Sequence, residues 1–268
     1  GADFTGANLN GMDLSGAKAA SSMMLRVRFA GCRLHGADLS ECDLDTAELA
    51  GAALDNASLR GANLSDAVLP EAWSQGVDLA GTSWRNADLQ RGYLAGQDLT
   101  GSVFRDCQLA QAELMEATLT ETVFLRCDLR GARFTGNRWL DGGAAECQLQ
   151  GADFSGAEVD GCDLDEAVVD AANLCGATFR SVDLAGRDLR TLKVDPQTRF
   201  EKCDMNGAEL TGVGWSGVRL VDGDLSGANL TDADLGDCVL AGTVLAEADL
   251  TRTRLRGAAA PAADFTGA

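Results

Sequence analysis

The chain has 268 residues, of which 46% are apolar, 24% are charged and only 5% are aromatic. Its 22 Lys and Arg residues against 41 Asp and Glu residues give a formal net charge of −19. This balance argues against direct binding to a nucleic-acid backbone or an anionic membrane, since both need a basic footprint. No run of about 18 apolar residues is present, so no membrane insertion is predicted.

Large apolar residues recur every five residues from Phe4 onward. Up to Val194 this register has 39 positions, and 36 of them hold Leu, Phe, Val, Met or Trp. The frame then shifts by one residue near 195–199 and resumes at Phe200, after which 13 of 14 positions are large and apolar. A helix would need a period of 3.6 residues and a strand a period of 2. The pattern therefore predicts a chain that turns a corner every five residues.

A second rule concerns the position two residues before each large residue, which we call the centre. This position is small in 34 of the 39 units of the first register and in all 14 of the second. We expect the centre and the small residue to point inward while the other three residues face water. Asp or Asn is common just before the centre, and Gly, which tolerates positive φ at a corner, is common two residues after it.

The unit resembles that of the pentapeptide-repeat family, which reads roughly A-[DN]-L-x-G. Ala2-Asp3-Phe4-Thr5-Gly6 and Ala228-Asn229-Leu230-Thr231-Asp232 show the pattern. The resemblance implies an all-β, right-handed, quadrilateral β-helix with four pentapeptide units per coil. The whole chain, 1–268, would be a single solenoid of about 13 coils stacked at about 4.8 Å.

Residues four units apart should then lie above one another. Trp84, Phe104 and Phe124 are predicted to stack as one interior column, and Phe134 and Phe154 as another. Eight of the nine cysteines occupy the small inward position, which is typical of buried thiols. Cys175 alone should point outward. A straight cysteine ladder lacks the tetrahedral geometry of a metal site, whereas a disulfide within it is not excluded by Cα distance alone.

No motif for catalysis, a cofactor or a metal is found. The only histidine, His35, falls on the outer side, and the carboxylates belong to the repeat on a convex, wet wall. A shifted carboxylate pKa would need burial, and a convex rod has no natural pocket. We therefore predict that the chain is not an enzyme.

The repeat is irregular at 17–25, 70–76, 137–146 and 193–200. Near the second irregularity, Trp73 and Tyr93 occupy outward positions four units apart, with Met115 close by and Arg33 and Arg133 above and below. Exposed aromatic, Met and Arg residues are typical of partner contacts, so these five residues form a candidate contact. Alternatively, Trp73 turns inward and replaces Ser74 as a centre.

The fourth irregularity is basic. We call its cations the basic collar, a candidate dock for an acidic partner or for another rod, with a solvated surface as the alternative. Its members are Arg180, Arg187, Arg190, Lys193, Arg199 and Lys202.

The sequence is compatible with two functions. The first is a structural or protein-interaction module, a rigid scaffold that binds protein partners through its faces. The alternative, implied by the resemblance, is DNA mimicry, because some family members bind DNA gyrase through an acidic rod. Against it, 19 net charges over roughly 60 Å is a sparser charge than that of B-DNA, which has one per about 1.7 Å.

Both ends of the chain repeat the same motif, at 2–6 and 263–267, without a capping segment. We therefore expect a domain cut from a larger protein, with end-to-end self-association through the uncapped ends as an alternative. An odd number of thiols fits a reducing compartment. The expected location is the bacterial cytoplasm, or outside the cell if the parent protein is a secreted effector.

Overall fold

The computed structural model describes residues 1–68 and 76–268, which form an all-β parallel solenoid with no helix in these ranges. Nine three-residue strands are spread over seven of its turns, and each strand buries its middle residue. They are β1 (Ser83–Arg85), β2 (Val103–Arg105), β3 (Val123–Leu125), β4 (Arg138–Leu140), β5 (Gly143–Ala145), β6 (Glu158–Asp160), β7 (Thr178–Arg180), β8 (Arg199–Glu201) and β9 (Arg219–Val221).

The strands form two parallel sheets, β1-β2-β3-β5 and β4-β6-β7-β8-β9. On either side of the frame shift, residues that pair are four units apart, as Phe104 and Phe124 are. Isolated bridges extend the same spacing through the other turns. We number the four columns of paired residues by their first member. Column 1 begins at Asp3, column 2 at Asn8, column 3 at Asp13 and column 4 at Lys18.

The centres and the small residues fill the interior, as the five-residue period predicts. The rings of Trp84 and Phe104 stack with centroids 5.4 Å apart, and those of Phe104 and Phe124 at 4.8 Å. Phe134 and Phe154 stack at 4.8 Å in the second predicted column. Stacked rings add roughly 0.5–1.5 kcal/mol per pair beyond the burial of their surface, so both columns stabilise the middle of the solenoid.

The corners lie two residues after the centres, where the backbone is left-handed. Gly136 has a φ of 69° and Glu121 a φ of 56°. Glycine adopts this conformation without steric cost, whereas other residues are strained there. A corner of this kind therefore needs a left-handed backbone, and glycine is the residue that adopts it with the least steric strain.

The frame shift is absorbed by a compact turn around Asp195. Its carboxylate accepts hydrogen bonds from the backbone N–H of Gly176 at 2.8 Å and of Gln197 at 3.0 Å. Thr198 is fully buried, and its hydroxyl lies 3.0 Å from both Asp195 Oδ1 and the carbonyl oxygen of Leu174. Thr178 consequently pairs with Arg199 rather than with Thr198, and the ladder continues in register.

The irregularity at 137–146 is a packing exchange between two centres. Trp139 is buried and large, and the next centre, Ala144, is buried and small. The indole stacks on Phe134 at 5.4 Å. The segment at 17–25 stays in register, with Met24 buried and Met23 bridged to Asp43. Most of the segment at 70–76 lies outside the described residues.

Within the fully described stretch 76–268 the ladder is interrupted at two places. One lies in column 3, where Lys193 is not bridged to Gly214. The other spans columns 1 and 2, and we call it the seam. Within the fully described stretch 143–209, Gly143 bridges Asp163 and Asp183 bridges Asp204, yet no bridge joins Asp163 to Asp183 or Val168 to Asp188. Arg187 occupies a small position here. Its guanidinium donates to the carbonyl oxygens of Leu164 at 3.0 Å and Ala167 at 2.9 Å.

An apolar cavity of about 20 Å³ lies behind the seam. Its walls are hydrocarbon, so a water there would have no hydrogen-bond partner. Its lining includes Leu164, Val169, Leu184 and Leu192.

Candidate functional site

The acidic residues before the centres are used by the fold. Asp98 accepts a hydrogen bond from the backbone N–H of Thr100 at 3.0 Å, and Asp188 does the same for Arg190 at 3.1 Å. Such side-chain acceptors satisfy a turn donor two residues on. A hydrogen bond from the Arg190 side chain lowers the pKa of Asp188 to about 2. Much of the acidity of the surface is therefore a structural requirement of the repeat.

Arginines are paired with acids of the neighbouring turn. Arg28 binds Glu48 at 3.0 Å, and Arg126 binds Asp106 at 2.8 Å. Exposed pairs of this kind contribute roughly 0–1 kcal/mol each. At these positions the solenoid places opposite charges one above the other.

Two pairs of arginines depart from this order. Arg85 and Arg105 are register partners in β1 and β2, and Arg199 and Arg219 are register partners in β8 and β9. All four side chains are exposed, and none forms an ion pair with another residue of the described ranges. Like charges stacked in a ladder destabilise it. Beside the first pair this repulsion is offset in part by Asp106, whose pKa is lowered mainly by the hydrogen bond from Arg126 and also by the charges of Arg85 and Arg105.

The structure divides the basic collar. Arg180 is held by Asp160 at 3.1 Å and Glu201 at 3.0 Å, and the hydrogen bonds that its guanidinium donates to these carboxylates raise its pKa. Arg190 is held by Asp188 at 2.6 Å, and Arg187 by the seam carbonyls. Within 1–68 and 76–268, no ion pair holds the remaining three, which are Lys193, Arg199 and Lys202.

The collar is not a single patch. Lys193 lies in column 3 and Arg199 in column 4. Lys202 lies at the corner that follows β8. The cations that stay together without partners are Arg199, Arg219 and Lys202. Sequence reasoning missed Arg219, although its place four units after Arg199 is the signal that would have found it.

The other candidate contact is only partly described. Trp73 and Ser74 both lie outside the described residues. The structure therefore does not test whether Trp73 points outward or replaces Ser74 as a centre. Tyr93 is 48% exposed and Met115 is half-buried. The remaining two members already have partners, since Arg33 binds Asp13 at 2.9 Å and Arg133 lies 4.0 Å from Glu113.

The cysteines lie as the repeat predicts. Eight are buried, Cys175 is partly exposed, and all nine are free. In the interior ladder the backbone N–H of Cys127 donates to the sulfur of Cys147 at 3.2 Å. Burial raises the pKa of Cys162, Cys203 and Cys238 to about 11. In the described ranges no His, Cys, Asp and Glu side chains form a group that could hold a metal.

The first turn lines an apolar pocket of about 570 Å³ that is open to solvent. Its walls are repeat centres, including Phe4, Leu9, Leu14 and Met24. Across the described ranges, no helix could span a membrane.

The sequence profile of the Pentapeptide repeats family matches in eight copies, at 1–36, 28–66, 47–72, 98–136 and 224–258. These ranges cover more than half of the chain. Together with the parallel solenoid and its pairing at a spacing of four units, they identify the chain as a member of the pentapeptide-repeat family.

Solved structures of similar proteins include HetL, a pentapeptide repeat protein involved in heterocyst differentiation regulation in Nostoc sp. strain PCC 7120. It is 25% identical, with 94% of this chain and 88% of HetL covered and a TM-score of 0.37. Trypsin-treated QnrB1, a plasmid-mediated fluoroquinolone resistance protein, is 18% identical, with 97% and 92% covered and a TM-score of 0.46. The comparison with curated protein sequences gave no match.

Proposed function

We propose that the chain is a non-enzymatic protein-interaction module. In this proposal it is a rigid, four-sided rod of about 13 coils, roughly 60 Å long, that binds an acidic partner protein through column 4. The unpaired stack of Arg199 and Arg219 is the observation that carries the proposal. We place the module in the bacterial cytoplasm, or in a secreted parent protein.

The chemistry of this surface favours a carboxylate-rich partner. Arg199 and Arg219 are direct neighbours in the ladder, and Lys202 lies at the adjoining corner. Guanidinium groups bind carboxylates in a planar, two-bonded geometry that lysine does not reproduce. A partner carboxylate between the two arginines would take the place of the acidic residue that binds an arginine in pairs such as Arg126–Asp106. On a chain of charge −19, such a site also gives an acidic partner a defined point of attachment.

The experiment is site-specific photocrosslinking in cells that make the protein. A photoreactive residue replaces Val221, which lies two residues after Arg219 in β9. We expect a crosslinked protein of acidic composition, identified by mass spectrometry, that disappears in the R199E/R219E variant and persists in an R85E/R105E variant of equal charge. Crosslinks that R199E/R219E leaves unchanged would overturn the proposal.

DNA mimicry is the second candidate, and one observation favours it. Asp183, Asp204 and Asp224 are consecutive members of column 1, so three carboxylates form a like-charged row. The row provides one charge per turn of about 4.8 Å, against one per about 1.7 Å in B-DNA. Each of these carboxylates also accepts a backbone N–H of its own turn. Inhibition of DNA gyrase supercoiling at micromolar protein would support mimicry, and an unchanged reaction would exclude it.

A further inference from the structure

We propose that the outer surface of column 1 is a self-complementary interface through which two copies of the chain associate side by side and antiparallel. This interface is separate from the acidic-partner surface of column 4, because it uses another sheet and another partner. It is formed by β1, β2, β3 and β5 and by the two turns that follow them in the column, at 163–165 and 183–185, between which the ladder is open at the seam.

Charge is segregated over residues 83–185 of this column, although the corner residue Asp106 also interacts with both arginines of the positive half. Arg85 and Arg105 are exposed, lack ion pairs to other described residues, and are the only charged outward residues of the first three strands. Beyond β5 the outward residues include Asp163, Asp165 and Asp183, all exposed. Of these, Asp165 lies 3.7 Å from Arg187. One half of the surface is thus positive and the other half negative.

The boundary between the halves is apolar, and its side chains are large on β3 and small on β5. β3 presents Val123, which is 36% exposed, and the half-buried Leu125. Its register partner β5 has Gly143, which is buried against Asp163, and the partly buried Ala145 at the same positions. Two large side chains therefore stand beside two minimal ones. A second copy, turned end for end, would place its own Val123 and Leu125 over this low step.

The symmetry that achieves this is a two-fold axis between β3 and β5, parallel to the strands. It sets β3 against β5 of the other copy, β2 against the turn of Asp165, and β1 against the turn of Asp183. Arg105 then faces Asp165, and Arg85 faces the turn that carries Asp183. A parallel arrangement would set each arginine against its own copy. The charges therefore select the antiparallel pair, and the contact is isologous.

The size of the surface sets the expected strength. Six turns at about 4.8 Å and five residues at about 3.3 Å give a face of roughly 30 by 15 Å, and hence an area per copy within the range of weak, transient complexes. Repulsion between two rods of charge −19 opposes contact, but 0.15 M salt screens charges more than about 8 Å apart and leaves close pairs largely intact. We therefore expect association at high micromolar concentration.

The test is sedimentation velocity of the full chain from 5 to 500 µM in 0.15 M salt. The wild type should shift from monomer toward dimer, while R85E/R105E and D165R/D183R should each stay monomeric because one half of the surface then repels its counterpart. An equimolar mixture of the two variants should regain the dimer, since all four contacts are again between opposite charges. Neither Arg85 nor Arg105 forms a side-chain hydrogen bond or an ion pair with another described residue, and both lie near the exposed Asp106–Arg126 pair, so circular dichroism is used to check that R85E/R105E is folded.

The matched control is R199E/R219E, which makes the same charge change at another stacked pair and should dimerise like the wild type. A wild type that stays monomeric at the highest concentration would overturn the proposal. So would a mixture that stays monomeric while circular dichroism shows both variants folded. Loss of the dimer in R199E/R219E would also overturn it, because net charge or contact through column 4 would then drive association. In each of these cases the acidic-partner proposal is untouched, because its crosslink is scored separately.

Discussion

The indole Nε1 of Trp139 donates a hydrogen bond to the backbone carbonyl oxygen of Thr122, 3.0 Å away, through the space left by Gly142. Gly142 occupies the small inward position of column 1, where Thr122 precedes it by one turn. A Cβ atom at Gly142 would overlap the Thr122 oxygen and lie 2.5 Å from Trp139 Nε1. The missing side chain is therefore what allows a buried tryptophan to satisfy its only donor.

Gly142→Ala should accordingly destabilise the chain by about 2–4 kcal/mol, because it introduces a backbone clash and leaves a buried N–H without its acceptor. Gly214→Ala is the control: a Cβ there would meet nothing within 4 Å, and its φ is not left-handed. Denaturant unfolding followed by tryptophan fluorescence measures both. Equal midpoints for the two variants would refute this role of Gly142.

The seam should be the most labile part of the middle of the chain. The backbone N–H groups of Asp183 and Asp188 lack ladder partners among the described residues, so they should exchange with solvent faster than those of Asp204 and Glu209, which donate to Val182 and Arg187. Native-state hydrogen exchange measures this contrast.

Arg187→Ala should close the seam. The neighbouring turns of the same column hold Ala167 and Ala208 at this position and are regularly paired on their outer sides. We expect slower exchange at Asp188 and a higher melting temperature, because two arginine hydrogen bonds are replaced by the backbone ladder. Unchanged exchange at Asp188 in the variant would show that Arg187 does not hold the seam open.

Thiol reactivity should single out Cys175. The thiolate is the reactive form, and the other eight thiols are buried. Burial raises the pKa of Cys203 to about 11. In native protein we expect Ellman's reagent to modify one thiol, which Cys175→Ser abolishes, and all nine after denaturation. Rapid reaction of two or more thiols in the folded chain would contradict the buried cysteine columns.

The chain should lose stability in acid. Hydrogen bonds from the Ser15 and Ser40 hydroxyls lower the pKa of Asp13 and Asp38, and the Arg190 side chain lowers that of Asp188 to about 2. A carboxyl with a lower pKa when folded than the unfolded value of about 3.9 adds stability above that value. This stability is lost as the pH falls toward the folded pKa. Thermal midpoints should therefore decline between about pH 4 and pH 2, and a constant midpoint over that range would disagree.

The five-residue period predicted a chain that turns a corner in every unit and buries one large and one small residue there, and the resemblance to pentapeptide repeats implied the solenoid. The aromatic and cysteine columns followed from the four units per coil that the resemblance implied, since positions four units apart then become neighbours. The hydrogen bond from Trp139 to Thr122 could not be predicted from the repeat, because it depends on the indole rotating into the space at Gly142. The sequence shows that Arg187 stands where the repeat usually has a small residue. It does not show that the guanidinium donates hydrogen bonds to two carbonyl oxygens.

The candidate surfaces were predicted less well, because the sequence order does not show which charged residues lie next to one another on neighbouring turns. Sequence reasoning grouped Arg180 with Arg199 because they are close along the chain, whereas the ladder binds Arg180 to acids and leaves Arg199 beside Arg219. Whether a surface charge is free depends on what lies one turn above and below. That information is present in the sequence only after the length of the coil is known.

The coil of four units underlies every proposed surface, and a spin-label distance tests it most directly. Thr118 and Val239 belong to column 4 and are separated by six ladder steps. Labels at T118C and V239C, in a Cys175→Ser background, should give a narrow distance distribution near about 29 Å, since each step is about 4.8 Å. Coils of three units would place the two labels about eight steps apart, at roughly 39 Å. A distribution centred at that longer distance, or one without a defined centre, would contradict the account.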